Sequence, residues 1–190
     1  MPYLYVLVGP PGVGKSTWRE KRMVLWNHET RMYGLCPLVT ISQDDLVEEY
    51  AKEHGLTYSQ AFKQANLKEF DRTVRRRFQE AVAAGESIIL DRTNMSRKSR
   101  RFFLEAAKDY KRVAVVFEHH PAVLDDRLDR RAKQTGKVIP FSVMRQMLRS
   151  YQEPTVPEFD EIRHDRCATL PTLWQRMRYG WRKMQKIALV

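Results

Sequence analysis

The chain has 190 residues, 43% hydrophobic and 30% charged, a balance that suits one soluble globular domain with a real core. No apolar run approaches the ~20 residues of a membrane span, so no membrane partner is expected. Its 34 Lys and Arg against 23 Asp and Glu give a formal net charge of +11, far more than a site for a small anionic metabolite needs. That excess favours a polyanionic partner, most simply nucleic acid, DNA or RNA.

The first strand begins almost at once, which leaves no room for a signal peptide. The two cysteines, Cys36 and Cys167, lack metal-ligand spacing. Two plain thiols and no export signal point to a reducing cytoplasm. The sequence leaves the oligomeric state open.

In chain order, Tyr3-Leu4-Tyr5-Val6-Leu7-Val8 reads as a buried parallel strand. Gly9-Pro10-Pro11-Gly12-Val13-Gly14-Lys15-Ser16-Thr17 follows and matches G-x-x-x-x-G-K-[ST]. A stretch without Gly or Pro comes next, so the glycine loop sits between a strand and a helix. That context makes it a phosphate-binding loop whose backbone N–H groups wrap a nucleoside triphosphate. Lys15 is expected at the β- and γ-phosphates and Ser16 on Mg²⁺. Residues 27–37 read as a loop after the first helix.

Leu38-Val39-Thr40-Ile41 is the second strand, with Asp44 and Asp45 at its C-terminal end. Transfer to a hydroxyl benefits from a carboxylate that accepts its proton. Asp44 is favoured as that base, and Asp45 as the N-cap of a helix through residues 46–50. Residues 60–84 carry apolar residues at mostly helical intervals and end at Gly85. Ser87-Ile88-Ile89-Leu90 is the third strand and delivers Asp91, an acidic strand end like that of a Walker B element. Thr93 and Asn94 follow at the same edge, suited to acceptor contacts or to turn formation.

A basic helix spans residues 97–108, and Val113-Ala114-Val115-Val116-Phe117 is the fourth strand. His119 and His120 after it read as strand-end surface, because adjacent residues rarely ligate one metal. Pro121 opens a helix carrying Arg127, Arg130 and Arg131. These cannot all face inward, and one is expected to stabilise charge on a transferring phosphoryl group. Residues 132–139 read as a basic loop, Pro140 starts another helix, and residues 161–164 form a short last strand.

Strands alternating with helices imply an α/β fold: a central parallel sheet with helices on both faces and an Arg-rich lid over residues 127–140. Ligands then gather at the carboxyl ends of the strands, which collects Lys15, Asp44, Asp91 and Asn94. The chain is expected to be one domain over residues 1–190. Its core is 1–151, and an extension over 152–190 carries a basic amphipathic helix.

The ordered set Gly-Pro-Pro-Gly-Val-Gly-Lys-Ser-Thr-Trp, Ile-Ser-Gln-Asp-Asp, Leu-Asp-Arg-Thr-Asn and the Arg-rich segment ending Lys-Val-Ile-Pro resembles the P-loop polynucleotide kinases, particularly the 5′-kinase domain of phage polynucleotide kinases. The resemblance covers residues 3–151. It implies transfer of the γ-phosphate of ATP, with Mg²⁺, to a hydroxyl of a nucleic acid, most simply a 5′-OH. It also implies Lys15 and Ser16 at the phosphates and metal, Asp44 as general base, Asp91 as an essential carboxylate, and a catalytic lid arginine near Arg130. Arg131, in the same basic run, is expected at the substrate.

Two positions depart from the family. Val47 stands where the family has an arginine proposed to grip an acceptor phosphate, and Gln134 stands at its second lid arginine. A hydroxyl on a modified base within DNA is therefore an alternative acceptor. A small-molecule kinase and a P-loop ATPase or binding module are the other readings. No phosphatase motif follows the kinase region.

Overall fold

The structure, a computed structural model, describes residues 1–166 together with Arg176, Met177 and Tyr179. Its frame is a five-stranded sheet: β1 (Tyr3–Val8), β2 (Leu38–Ser42), β3 (Ser87–Asp91), β4 (Lys111–Glu118) and β5 (Glu161–Arg166). The strands pair in the order β2-β3-β1-β4-β5, and every pairing is parallel. Parallel strands need crossovers, which the helices supply.

Alternate residues of each strand feed opposite faces of the sheet. On one face Leu4, Val6, Val8, Ile88, Leu90, Ala114 and Val116 pack on Val74 and Phe78 of α4 (Leu67–Ala83) and on Phe103 of α5 (Arg97–Ala106). On the other, Tyr5, Leu7, Ile89, Val113, Val115 and Phe117 pack on Trp26 of α1 (Lys15–Tyr33) and Leu124 of α6 (Pro121–Thr135). Burial on both faces is why β1, β3 and β4 are apolar without alternation. The expected α/β architecture is thus the observed one, and β5 belongs to the sheet although it lies beyond the expected 1–151 core.

Several local expectations are corrected. Residues 27–33 are helix, not loop, because no breaker intervenes before Gly34, which turns left-handed at φ 63°. The Trp26 indole then anchors the helix end by donating to the Cys36 carbonyl at 2.9 Å. The segment at 60–84 is two helices, α3 (Tyr58–Gln64) and α4, because Ala65 is extended and Asn66 caps the second by accepting from the Glu69 N–H. Asp45 is not the cap of α2 (Gln43–Glu53); Ser42 is, accepting from the Asp45 N–H at 3.2 Å. Helix α6 continues to Thr135, shortening the expected basic loop, and Pro140 leads into α7 (Phe141–Arg149). The amphipathic helix expected in the tail falls outside the described residues, except Arg176, Met177 and Tyr179, which are helical.

Among the described residues, no helix is long and apolar enough to cross a membrane.

Candidate active site

Register sets the site. Ser42 pairs with Asp91 and Val8 with Val116, so the carboxyl ends of β1, β2, β3 and β4 lie along one edge. The 9–17 loop leaves β1 there. Thr93 holds its start, its carbonyl accepting from the Gly9 N–H at 3.0 Å. Gly9 is packed closely: a Cβ there would lie 3.1 Å from the Phe117 Cβ and from Val13, and its neighbours would have to give. Gly12 and Gly14 are left-handed at φ 85° and 109°. Gly14 is the N-cap of α1, and no side chain caps the helix, so its first N–H groups are open to an anion. This is a cradle for phosphate.

Lys15, the first residue of α1, folds back over the loop. Its Nζ donates to the carbonyls of Gly9 at 2.8 Å and Pro10 at 2.9 Å. Burial lowers its ammonium to about 8, against the opposing pull of Asp91 and Asp44. Ser16 and Thr17 are exposed beside it, while Val13 is buried and Pro11 half-buried beneath the loop.

Asp91 is enclosed at the end of β3. Burial raises its carboxyl, and the charges of Lys15 and Arg19 pull it back only in part. Arg19 reaches it at 3.2 Å and also pairs with Asp45 at 2.9 Å. One guanidinium therefore ties α1, α2 and β3 together. Sequence reasoning missed Arg19; its signal was its place one helical turn after Lys15.

Asp44 lies in the first turn of α2, half-open to solvent. The Lys137 Nζ donates to its Oδ2 at 2.7 Å, and the Tyr58 hydroxyl donates to its Oδ1 at 2.9 Å. Burial works to raise the Asp44 carboxyl, but Lys137, Tyr58 and the Arg131 charge outweigh it and hold it below the ordinary range. Lys137 itself is only 5% exposed, and its ammonium sits 3.7 Å from the Tyr58 ring centroid. The sequence placed Lys137 in a basic cluster; only the fold brings it to a carboxylate 93 residues away.

Helix α6 presents Arg127 and Arg131 on one side, four residues apart. Arg127 donates to the Val13 carbonyl at 3.3 Å, and the Arg131 charge is felt at Lys15 and Asp44. Arg130 points elsewhere: it is 62% exposed and pairs with Asp126 at 3.1 Å. A catalytic arginine was expected near Arg130, and the helical turn aims its neighbours, not Arg130, at the loop.

Asn94, expected at the acceptor or in a turn, points inward. It is 1% exposed at φ 48°, and its amide donates to the carbonyls of Leu7 at 2.9 Å and Leu90 at 3.2 Å. It locks β1 to β3 and is not available to an acceptor. Val47 is wholly buried with Ala51 and Ala61, so its position cannot grip a strand from the surface. His120 caps α6, its Nδ1 accepting from the Ala122 N–H at 3.2 Å.

On the far side of β1 from Asp44, a recess of about 360 Å³ opens between the loop start and the ends of β4 and β5, lined by Gly9, Pro10, Glu118, His119 and His164 among others.

A glycine-lined cradle opening a helix, on a parallel sheet of this order, is the architecture of P-loop nucleotide-binding proteins of the kinase type. The chain belongs to the AAA domain family AAA_33, whose model matches residues 4–154. Among curated proteins none matches.

Solved structures share the fold. A chain of the Pnkp1/Rnl/Hen1 RNA repair complex is 23% identical at TM-score 0.60, covering 79% of this chain and 44% of its own. This chain thus spans less than half of that relative. Kti12 of Chaetomium thermophilum, solved with ADP-AlF3, is 18% identical at TM-score 0.62, with 96% and 97% covered. A sugar kinase from Janibacter sp. HTCC2649 is 16% identical at TM-score 0.53, with 96% and 95% covered.

Proposed function

We propose that this protein is an ATP-dependent kinase that transfers the γ-phosphate to a hydroxyl of a nucleic acid, most simply a 5′-OH end. The observation that carries the reading is Asp44. It is a carboxylate at the same sheet edge as the phosphate cradle, held by hydrogen bonds at both oxygens and facing Lys15 and Arg131. A carboxylate there can take the proton of an attacking hydroxyl, and a pure binding module has no need of it. The net charge of +11 and the exposed Arg72, Arg76 and Lys98 on α4 and α5 favour a polyanionic acceptor over a sugar. The likeness to a chain of an RNA repair complex points the same way.

The chain's residues divide the work. The loop N–H groups and Lys15 hold the β- and γ-phosphates, and the recess beside β4 and β5 is open to the donor nucleoside. Ser16 would hold Mg²⁺, which neutralises charge on the bridging phosphates. Asp44 orients the acceptor hydroxyl and takes its proton. The acceptor oxygen forms the new bond to the γ-phosphorus, the bond to the β–γ bridging oxygen breaks, and ADP leaves. Arg131 and Arg127 face the charge that spreads over the γ-oxygens.

The rival of a hydroxymethylated base within DNA draws on Val47, which stands where the family has an acceptor-phosphate arginine, while a small-molecule acceptor would fit the phosphate loop and Asp44 equally. Labelled γ-phosphate, offered with oligonucleotides, hydroxymethylpyrimidine duplexes with blocked 5′ ends, sugars and water, separates the readings. Label is expected at free 5′ ends. Label in free phosphate alone would refute the transferase.

Lys137 bears on the pH dependence. A base works deprotonated, so transfer falls as pH drops through the Asp44 pKa. The Lys137 ammonium holds that pKa down, and Lys137→Met keeps the stem while removing the charge. The acid limb of the kcat profile is expected to move to higher pH in the variant. An unmoved limb would mean that Lys137 does not govern the charge on Asp44.

A further inference from the structure

Next to the Tyr58 ring that serves Asp44 stands a second ring, Phe62, which the chemistry above does not use. Tyr58 and Phe62, one turn apart on α3, stack with ring centroids 6.1 Å apart and planes 22° from parallel. The Tyr58 hydroxyl is hydrogen-bonded to Asp44. The two rings therefore lead outward from the carboxylate. Phe62 stands at the outer end and is 43% exposed. A phenyl ring has no polar group to satisfy in water, and one stacked on the tyrosine that holds a catalytic carboxylate is a surface for a planar ligand.

The surroundings select the ligand. Lys63 follows Phe62 on α3 and is exposed, and the Arg131 charge acts on Tyr58, while the buried Lys137 ammonium over the Tyr58 ring is already paired with Asp44 and Glu48. An occupant with a flat apolar face and flanking negative charge fits this setting. That combination is a nucleotide. The buried Val47 adds support. It packs against Ala61, the residue before Phe62, and so anchors α3 to α2 beneath the aromatic pair.

We infer that Phe62 is the stacking platform for the base of the nucleotide whose hydroxyl meets Asp44. This rests on the nucleic-acid reading above and assigns its specificity to an aromatic face rather than a phosphate contact. Stacking tolerates any base, so the enzyme accepts ends of every sequence.

The test uses single-stranded oligonucleotides with a free 5′-OH and matched oligonucleotides whose terminal nucleotide lacks its base. Phe62→Ala is expected to raise the KM for the intact acceptor about 5- to 100-fold, and Phe62→Trp to restore it. The unmutated protein is expected to lose a similar factor on the abasic acceptor, while the Ala variant is indifferent to base removal. The abasic comparison needs no substitution, so a misfolded variant does not obscure the result. An unmutated protein indifferent to the base, or an Ala variant as sensitive to it as the parent, overturns the inference and leaves the kinase reading standing. Transfer to sugars or water with none to any oligonucleotide overturns both.

Discussion

Asp44→Asn is expected to cut phosphoryl transfer by about 10²–10⁴-fold while ATP binding persists, because general-base participation is worth that much and the phosphate loop is untouched. Asparagine keeps the shape and an acceptor oxygen for Tyr58 but cannot take a proton. The neighbouring Asp45→Asn is the control. Asp45 pairs with Arg19, which keeps Asp91 as its second partner. A half-exposed ion pair of this kind contributes about 0–1 kcal/mol, so transfer by Asp45→Asn is expected within roughly fivefold of the parent. Single-turnover transfer and equilibrium binding of ATP, measured on both proteins, check this. A dead Asp45 variant beside an active Asp44 variant would reverse the assignment.

The second large effect belongs to α6. Arg131→Ala is expected to lower kcat by about 10³-fold or more, the scale on which an arginine stabilises a transferring phosphoryl group. Arg130→Ala, at the adjacent residue of the same basic run, is expected to stay within about threefold, since it removes an exposed pair with Asp126. Measuring kcat and KM for ATP in the two variants separates transition-state loss from weakened binding. Equal effects would show that α6 acts through its total charge and not through the side facing the loop.

These contrasts mark where the sequence was legible. The phosphate loop was legible because its function is written in local backbone geometry: left-handed glycines at 12 and 14, and a helix that starts at Lys15. The strands were legible because burial on two faces leaves continuous apolar runs. The first helix was cut short at residue 27, since a polar run within an amphipathic helix looks like a loop until Gly34 is recognised as its stop. The break at Ala65 and Asn66 was missed because helical spacing survives a change of axis.

Roles that depend on direction were less accessible. Asn94 was read as an acceptor contact or a turn residue, and its amide N–H groups turn inward to the carbonyls of Leu7 and Leu90. Arg130 was favoured over its neighbours, yet on a helix of 3.6 residues per turn Arg127 and Arg131 share the side that meets the loop. Val47 was visible as a departure from the family, but not as a buried core residue.

By itself, the sequence determined the phosphate cradle, the alternation of strands and helices, and the carboxylates at the strand ends. Each of these follows from residues close in the chain: glycine's tolerance of positive φ, the two periodicities, and an acidic residue ending an apolar run. Only the tertiary structure decided which charges meet. The approach of Lys137 to Asp44, the bridge of Arg19 between Asp45 and Asp91, and the reach of Arg127 to Val13 join segments from 26 to 114 residues apart. A charge interacts with whatever the fold places within a few ångströms, and sheet order, not sequence order, sets that neighbourhood.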